Sequence, residues 1–303
     1  MKRLSETGKA YLADVVCHGA WGFSFLFTRI ALDRTEVFTL LSHRFLLAFA
    51  LLHLFPGQLR AMKASRKQKL LLLALGLAQP VLYYIGEEYG ILHATTGFSG
   101  VMIAMIPIVS ILAAALILKE RATVGQYVFS AVSVCGVIGL GLLSGSSGRL
   151  DWIGVGALTV AVCAGVCYSL LSRSLSREAT PFTRTYAMIG TGAAAFTVLA
   201  FLTNGGDLSA YVRPLTDLRY DLSVAFLSVL CTVICFFLSG YALTRLPVAR
   251  ETAFANLTTA VSVFAGVLIL REPFSWAALG FCAMILLGVW GVQHAARGFG
   301  DRC

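Results

Sequence analysis

Charge is scarce in this sequence. Of its 303 residues, 13% are Asp, Glu, Lys or Arg, where a soluble domain carries about 25%. With 58% hydrophobic residues and a mean hydropathy of +0.81, the chain reads as an integral membrane protein. Water-soluble enzymes are thereby set aside. There is no GxxxxGK[ST] loop to hold a nucleotide, so nothing suggests ATP drive. There is no GxSxG elbow and no zinc pair, and neither cofactor nor enzyme activity is expected. The eight cysteines lie mostly inside apolar runs, and Cys163/Cys167 and Cys231/Cys235 are i,i+4 pairs. No histidine or second pair stands at ligand spacing, so they read as small residues for helix packing. The net charge of +9 comes without a basic helix or an aromatic-basic stripe, and no nucleic-acid partner is expected. The opening MKRLSETGKAYLADVV does not resemble a cleaved signal: Asp14 and His18 interrupt the apolar run, and no small-residue cleavage site follows.

Long apolar runs, by contrast, are plentiful. A hydrocarbon core of ~30 Å needs about 20 apolar residues per helix. Ten runs meet that need: 10–31, 37–56, 69–91, 97–118, 124–143, 152–173, 182–202, 221–244, 250–270 and 275–294. Connectors are short, and none is long enough for a soluble domain. The lipid bilayer is therefore the first partner. Trp152 and Trp276 open their runs as interface anchors.

The stretch Tyr89 to Gly139 recurs, 152 residues later and without a gap, as Tyr241 to Gly291. Thirteen of 51 positions are identical, and VSILAAALILKE (Val109–Glu120) faces VSVFAGVLILRE (Val261–Glu272). Gly136 and Gly139 meet Gly288 and Gly291. Such a period marks an internal duplication. With the N-terminus in the cytoplasm, seventeen Lys and Arg fall on the inner side and six outside. The bias puts both termini in the cytoplasm, in a cell membrane. Each half then holds five helices, an odd number, so the second copy enters from the opposite face. The expected fold is all-α: ten transmembrane helices as two five-helix inverted repeats, 10–143 and 152–294. Inverted repeats place a substrate site near the midplane, between the halves.

The quoted residues carry a resemblance as well. AWGFSFLFTRIAL (Ala20–Leu32), HRFLLAFALL (His43–Leu52), the Glu87–Glu120 stretch and Tyr241–Pro273 resemble the drug/metabolite transporter superfamily, in particular its ten-helix members with two EamA domains. The resemblance implies a secondary carrier whose central cavity is lined by the first four helices of each half. Arg250-Glu251, where the first half has Phe98-Ser99, and Thr259, where it has Pro107, depart from the first copy.

Within that frame Arg44 stands out. It lies about seven residues into its helix, ~10 Å deep, where an ionised Arg costs up to ~2.5–3.5 kcal/mol. It is either an anchor for a zwitterionic or anionic substrate or half of a fixed pair with Glu87 or Glu88. Those two carboxyls are also candidates for proton coupling. His18, one turn before Trp21, is a candidate for substrate or proton binding, or for a bond to a neighbouring helix; Asp14 reads as interfacial. Trp21, Tyr83, Tyr168 and Tyr241 are candidate cavity walls for the substrate, and Asn256 is either helix–helix glue or a ligand contact. Pro107 interrupts the fourth helix and is a candidate hinge. The paired glycines call for close approach of the fifth and tenth helices to a partner, within the chain or in a homodimer. Glu120 and Glu272 read as helix stops or links.

The function expected is alternating-access transport of a small organic solute, with export of amino acids or related metabolites leading and uptake as the alternative. A polytopic membrane enzyme would need a polar cluster at one interface, and a scaffold would have no use for an inverted duplication.

Overall fold

The computed structural model describes residues 5–62, 65–93, 102–120, 122–143, 151–269 and 276–295. Their ten principal helical segments are α1 (Glu6–Leu32), α2 (Val37–Leu52), α3 (Arg66–Gly76 and Tyr83–His93, joined across a kink at Leu77–Leu82 where Gln79 is extended), α4 (Met102–Leu118), α5 (Val124–Leu143), α6 (Trp152–Leu175), α7 (Pro181–Thr203), α8 (Leu218–Phe226 and Cys235–Arg245, joined by a π turn at Leu227–Ile234), α9 (Val248–Ala253 and Ala255–Ile269) and α10 (Trp276–Ala295); short helices also lie in the α2–α3 and α7–α8 connectors. No strand occurs among the described residues. The first residues of the expected fourth run, and Arg271 and Glu272 after the ninth, lie outside the described residues.

Local chemistry sets the ends. Ser65 and Gln68 form a reciprocal capping box at the start of α3. Asp151, Thr180 and Asp217 accept backbone N–H groups at the starts of α6, α7 and α8. Six segments (α1, α3, α6, α7, α8, α10) are long and apolar enough to cross a membrane, and α2, α4 and α5 are shorter apolar helices. Trp152 and Trp276 are 85% and 79% exposed, as anchors facing the lipid interface would be.

Helix neighbours obey a two-fold relation. α2 packs on α7 and α5 on α10, each helix against its own counterpart in the other half. α3 packs on α6 and α1 on α8, and α1 on α9 and α4 on α6; exchanging the halves turns each contact into its mate. Detail repeats too. A shift of 152 residues carries the kink at 77–82 onto 229–234, inside the π turn of α8, so both third helices are interrupted at the same place. Both fourth helices are broken, α4 at Met105 and α9 at Phe254. The structure is therefore an all-α, polytopic pair of inverted repeats.

The paired glycines find their partner within the chain. A side chain at Gly136 or Gly139 of α5 would run into Phe281 and Ile285 of α10. One at Gly288 or Gly291 of α10 would run into Phe129 and Ser133 of α5. Phe129 and Phe281 are themselves 152 residues apart, so each ring fills the notch opposite its own counterpart. Without Cβ atoms the backbones come close enough for dispersion contacts, which hold helices together where water cannot.

Candidate functional site

Two polar clusters lie inside the bundle, and the π turn of α8 separates them. The one nearer the α1–α2 turn, called outer for its place in the bundle and the other inner, centres on Arg44 of α2, 4% exposed. Its Nε donates to the Thr232 hydroxyl at 2.6 Å, and Thr232 in turn donates to the Leu227 carbonyl at 2.9 Å. Its guanidinium carbon lies 5.3 Å from the Tyr84 ring centre and 5.7 Å from that of Phe45, within cation–π range. Glu87 and Glu88 are half-buried on α3, and Tyr83 donates to Glu87 Oε1 at 3.2 Å. Both carboxyls are near enough to feel the charge of Arg44. No ion pair joins Arg44 to either among the described residues. Its hydrogen-bonded anchor is instead a neutral hydroxyl, with two aromatic rings against its guanidinium.

The inner cluster gathers side chains from four helices. His18 Nδ1 donates to the Asp14 carbonyl at 3.0 Å, and the imidazole stands edge-on to Trp21 with ring centres 5.1 Å apart. Trp21 Nε1 donates to the Cys231 carbonyl at 2.8 Å. Tyr168 and Ser239 share a hydrogen bond of 2.8 Å, and Ser239 donates to Glu251 Oε1 at 2.8 Å. Cys17 and Cys235 exchange thiol-to-carbonyl bonds at 3.3 and 3.6 Å, so small residues do bring α1 and α8 together.

Asp14 does not stand at the start of its helix. The helix begins earlier than the apolar run suggests, because Ser5 accepts the Gly8 N–H at 3.1 Å and caps it. Asp14 therefore lies two turns inside α1, fully buried. Arg184, near the start of the expected 182–202 run, is also buried, at 1% exposure. It clamps three helices: Nη1 donates to the Ser172 carbonyl and hydroxyl at 2.6 and 2.7 Å, and Nη2 to the Gly240 carbonyl at 2.7 Å. Each repeat thus holds one buried arginine in the first turns of its second helix.

Other expected site residues lie elsewhere. Tyr241 is at the inner surface, donating to Glu6 Oε2 at 3.2 Å. The Glu6 carboxyl sits below its ordinary range, chiefly through its hydrogen bond from Lys9. Asn256 donates to Ser133 at 3.0 Å and ties α9 to α5. Pro107 occupies the first turn of Ile106–Ala113, just after the break at Met105, where its missing N–H has no intrahelical partner to lose. Glu120 binds Arg173 Nε at 2.7 Å and accepts the Val248 N–H at 2.9 Å, linking α4, α6 and the start of α9. Sequence reasoning missed Thr232, Ser239 and Glu251 as site residues. The signal for Glu251 was the Arg250-Glu251 departure of the second repeat from the first. Among the described residues no set of three or more His, Cys, Asp or Glu could hold a metal ion.

The sequence pattern of the EamA-like transporter family matches residues 10–142 and again 152–293. A Bacillus subtilis protein described as the uncharacterized transporter YcxC is 31% identical over 93% of this chain and 92% of its own length. A Streptantibioticus cattleyicolor protein described as a probable terminal-alkyne amino-acid exporter is 27% identical over 97% of this chain and 96% of its own. One solved crystal structure superposes with a TM-score of 0.77 at 17% identity, covering 96% of this chain and 98% of that one, and so shares the fold.

Proposed function

The chain belongs to the EamA-like transporter family, and from that premise we propose that it is a secondary carrier exporting a small zwitterionic solute of the amino-acid class. The observation that carries this reading is the outer cluster. Arg44 is buried, fixed at Nε by Thr232, and left without an ion pair beside two half-buried carboxyls. A zwitterion offers the complementary pair of charges: its carboxylate meets the guanidinium fork, and its ammonium meets Glu87 or Glu88. Tyr83, Tyr84, Phe45 and Trp21 supply apolar and aromatic walls. The name of the exporter relative supports the amino-acid class and the outward direction. Repeats 10–143 and 152–294 act as the moving units. Breaks at Pro107 in α4 and at Phe254 in α9 act as hinges, with the site between the halves. The inner excess of Lys and Arg supports a cell-membrane protein with both termini in the cytoplasm.

The test is thermal-shift stabilisation of the purified protein against amino acids, amines, nucleosides and sugars, with Arg44→Ala alongside. An amino acid that stabilises wild type but not the variant is the expected result. Stabilisation of both proteins alike would make Arg44 structural. Stabilisation only by a sugar or nucleoside would overturn the substrate class.

A further inference from the structure

We propose that Asp14, His18 and Glu251 form a proton-binding site in the inner half of the bundle, whose occupancy is coupled to the Arg44 site. The coupling role rests on the transport reading; the proton site itself does not.

Asp14 is 0% and Glu251 3% exposed. The His18 ring lies 6.3 Å from that of Phe254, one turn after Glu251, and Glu251 is held by Ser239, one turn beyond the Cys235 that bonds Cys17 of α1. Both carboxylate oxygens of Asp14 are buried and accept no hydrogen bond. His18 Nδ1 passes 3.3 Å from Oδ1, but its N–H is aimed at the Asp14 carbonyl oxygen. A carbonyl only accepts, so Nδ1 carries a hydrogen, and Nε2 is the ring atom that gains or loses a proton. With both acids ionised and the imidazole neutral, the cluster holds two negative charges in a closed interior.

The remaining polar groups around it do not cancel that charge. From α8, Ser239 donates one hydrogen bond to Glu251, and Cys235 bonds the Cys17 carbonyl. From α6, Tyr168 reaches Ser239. On α1, Cys17 bonds the Cys235 carbonyl. The hydrogen bonds of the neighbouring cations go elsewhere: Arg250 Nη1 of α9 to the Tyr11 hydroxyl at 3.0 Å, and Arg184 Nη1 and Nη2 of α7 to Ser172 and Gly240, while the Nε of each is buried without a hydrogen bond among the described residues. Uncompensated charges inside a membrane protein are costly and mark ion pathways and proton relays. The described side chains do not converge as metal ligands do. A proton removes one negative charge at either carboxyl, or adds a positive one at His18 Nε2, without needing a cavity.

A physical route leads outward. His18 packs on Trp21, Trp21 holds the Cys231 carbonyl, and the next residue, Thr232, holds Arg44. A charge change at His18 therefore acts on the same turn that positions the substrate anchor.

The experiment is infrared difference spectroscopy of the purified full-length protein between acidic and alkaline pH. A carboxyl that takes up a proton gives a C=O band, and no solute is required. Wild type, D14N, E251Q, H18Q, E87Q and E88Q are compared, each checked for a monodisperse size-exclusion peak. The proposal expects a wild-type C=O band that loses amplitude in D14N and in E251Q, and imidazole bands that vanish in H18Q. If one of the two acid variants does not fold, the other, set against E251D, decides. Equal amplitude in wild type and the folded acid variants overturns the proposal. So does a band lost only in E87Q or E88Q, which would move the proton to the outer cluster. A protein that binds the proton here yet moves no solute in vesicles would sink the transport reading and leave this site standing.

Discussion

Trp21 and Arg44 hold adjacent residues of one wide turn. Trp21 Nε1 grips the Cys231 carbonyl at 2.8 Å, and Arg44 Nε grips the Thr232 hydroxyl at 2.6 Å. The first comes from α1 and the second from α2, and the turn they share interrupts α8. π turns inside α-helices occur frequently at functional sites. Here the interruption presents a carbonyl and a hydroxyl to two different helices. A shift of α8 along its axis would disturb both grips together, which suits a helix of the second repeat that moves against the first.

This geometry predicts a graded effect at Thr232. Thr232→Val keeps the shape and removes the acceptor for Arg44 Nε. Loss of a hydrogen bond to a charged group is worth ~1.5–3 kcal/mol, so affinity for the stabilising amino acid is expected to fall about 10- to 100-fold. Thr232→Ser should retain most of it. Isothermal titration of both variants reads the difference. If Thr232→Val binds as wild type does, the hydroxyl does not position Arg44.

A second prediction concerns the α5–α10 seam. Gly139→Ala places a methyl against the Phe281 ring, and Gly291→Ala places one against Phe129. Overpacking of this kind costs ~1–3 kcal/mol. The doubles Gly139→Ala/Phe281→Leu and Gly291→Ala/Phe129→Leu should recover part of the loss, by similar amounts if the two-fold relation holds in energy as well as in shape. Unfolding temperatures in detergent give the cycle. Strictly additive losses would show that ring and glycine do not interact.

Much of this architecture is legible in the sequence. Helix number follows from the fixed thickness of the bilayer, and inversion follows from an odd count plus the side preference of Lys and Arg. The glycine pairs announced a close approach, but spacing alone does not say which helix arrives. Arg44 was conspicuous because a buried charge is costly. Its partner was not, since Thr232 in an apolar run looks like any threonine bonded to its own helix. Asp14 was misplaced because apolar residues mark where lipid begins, whereas the helix itself starts at its Ser5 cap. The burial of Arg184 was not legible either: nothing in a charge four residues into α7 tells that the Ser172 and Gly240 carbonyls close over it.

Arg184 and Arg44 should therefore respond differently to truncation. Removing Arg184 abandons three hydrogen bonds from a charged group that joins three helices in the interior. Arg184→Ala is expected to cost at least about 3 kcal/mol, with low yield and a lowered unfolding temperature. Arg184→Lys should restore a part, because an ammonium can still reach one or two of the acceptors. Arg44→Ala removes one hydroxyl contact and two cation–π contacts, so it should lower the unfolding temperature less than Arg184→Ala does while abolishing ligand stabilisation. The reverse pattern would exchange the roles assigned to the two arginines.

The last prediction is a pH dependence at the outer end of α8. Asp217 Oδ1 accepts the backbone N–H groups of Arg219 at 2.8 Å and Tyr220 at 3.4 Å, and Arg34 Nε lies 3.0 Å from Oδ2. The Arg219 N–H, above all, holds this carboxyl below its ordinary range. A carboxyl lowered by folding contributes stability that is fully present above its unfolded value of about 3.9, and loses it as pH falls through the folded value. Tyr220, in the same first turn, bonds His43 of α2 at 2.7 Å, so a frayed cap loosens the α2–α8 contact as well. Asp217→Asn keeps the cap without the charge. The gap in unfolding temperature between wild type and Asp217→Asn should therefore narrow as pH is lowered from about 6 to about 3. A gap independent of pH would show that the cap works through shape alone, and that the charge of Asp217 contributes nothing to holding α8 in place.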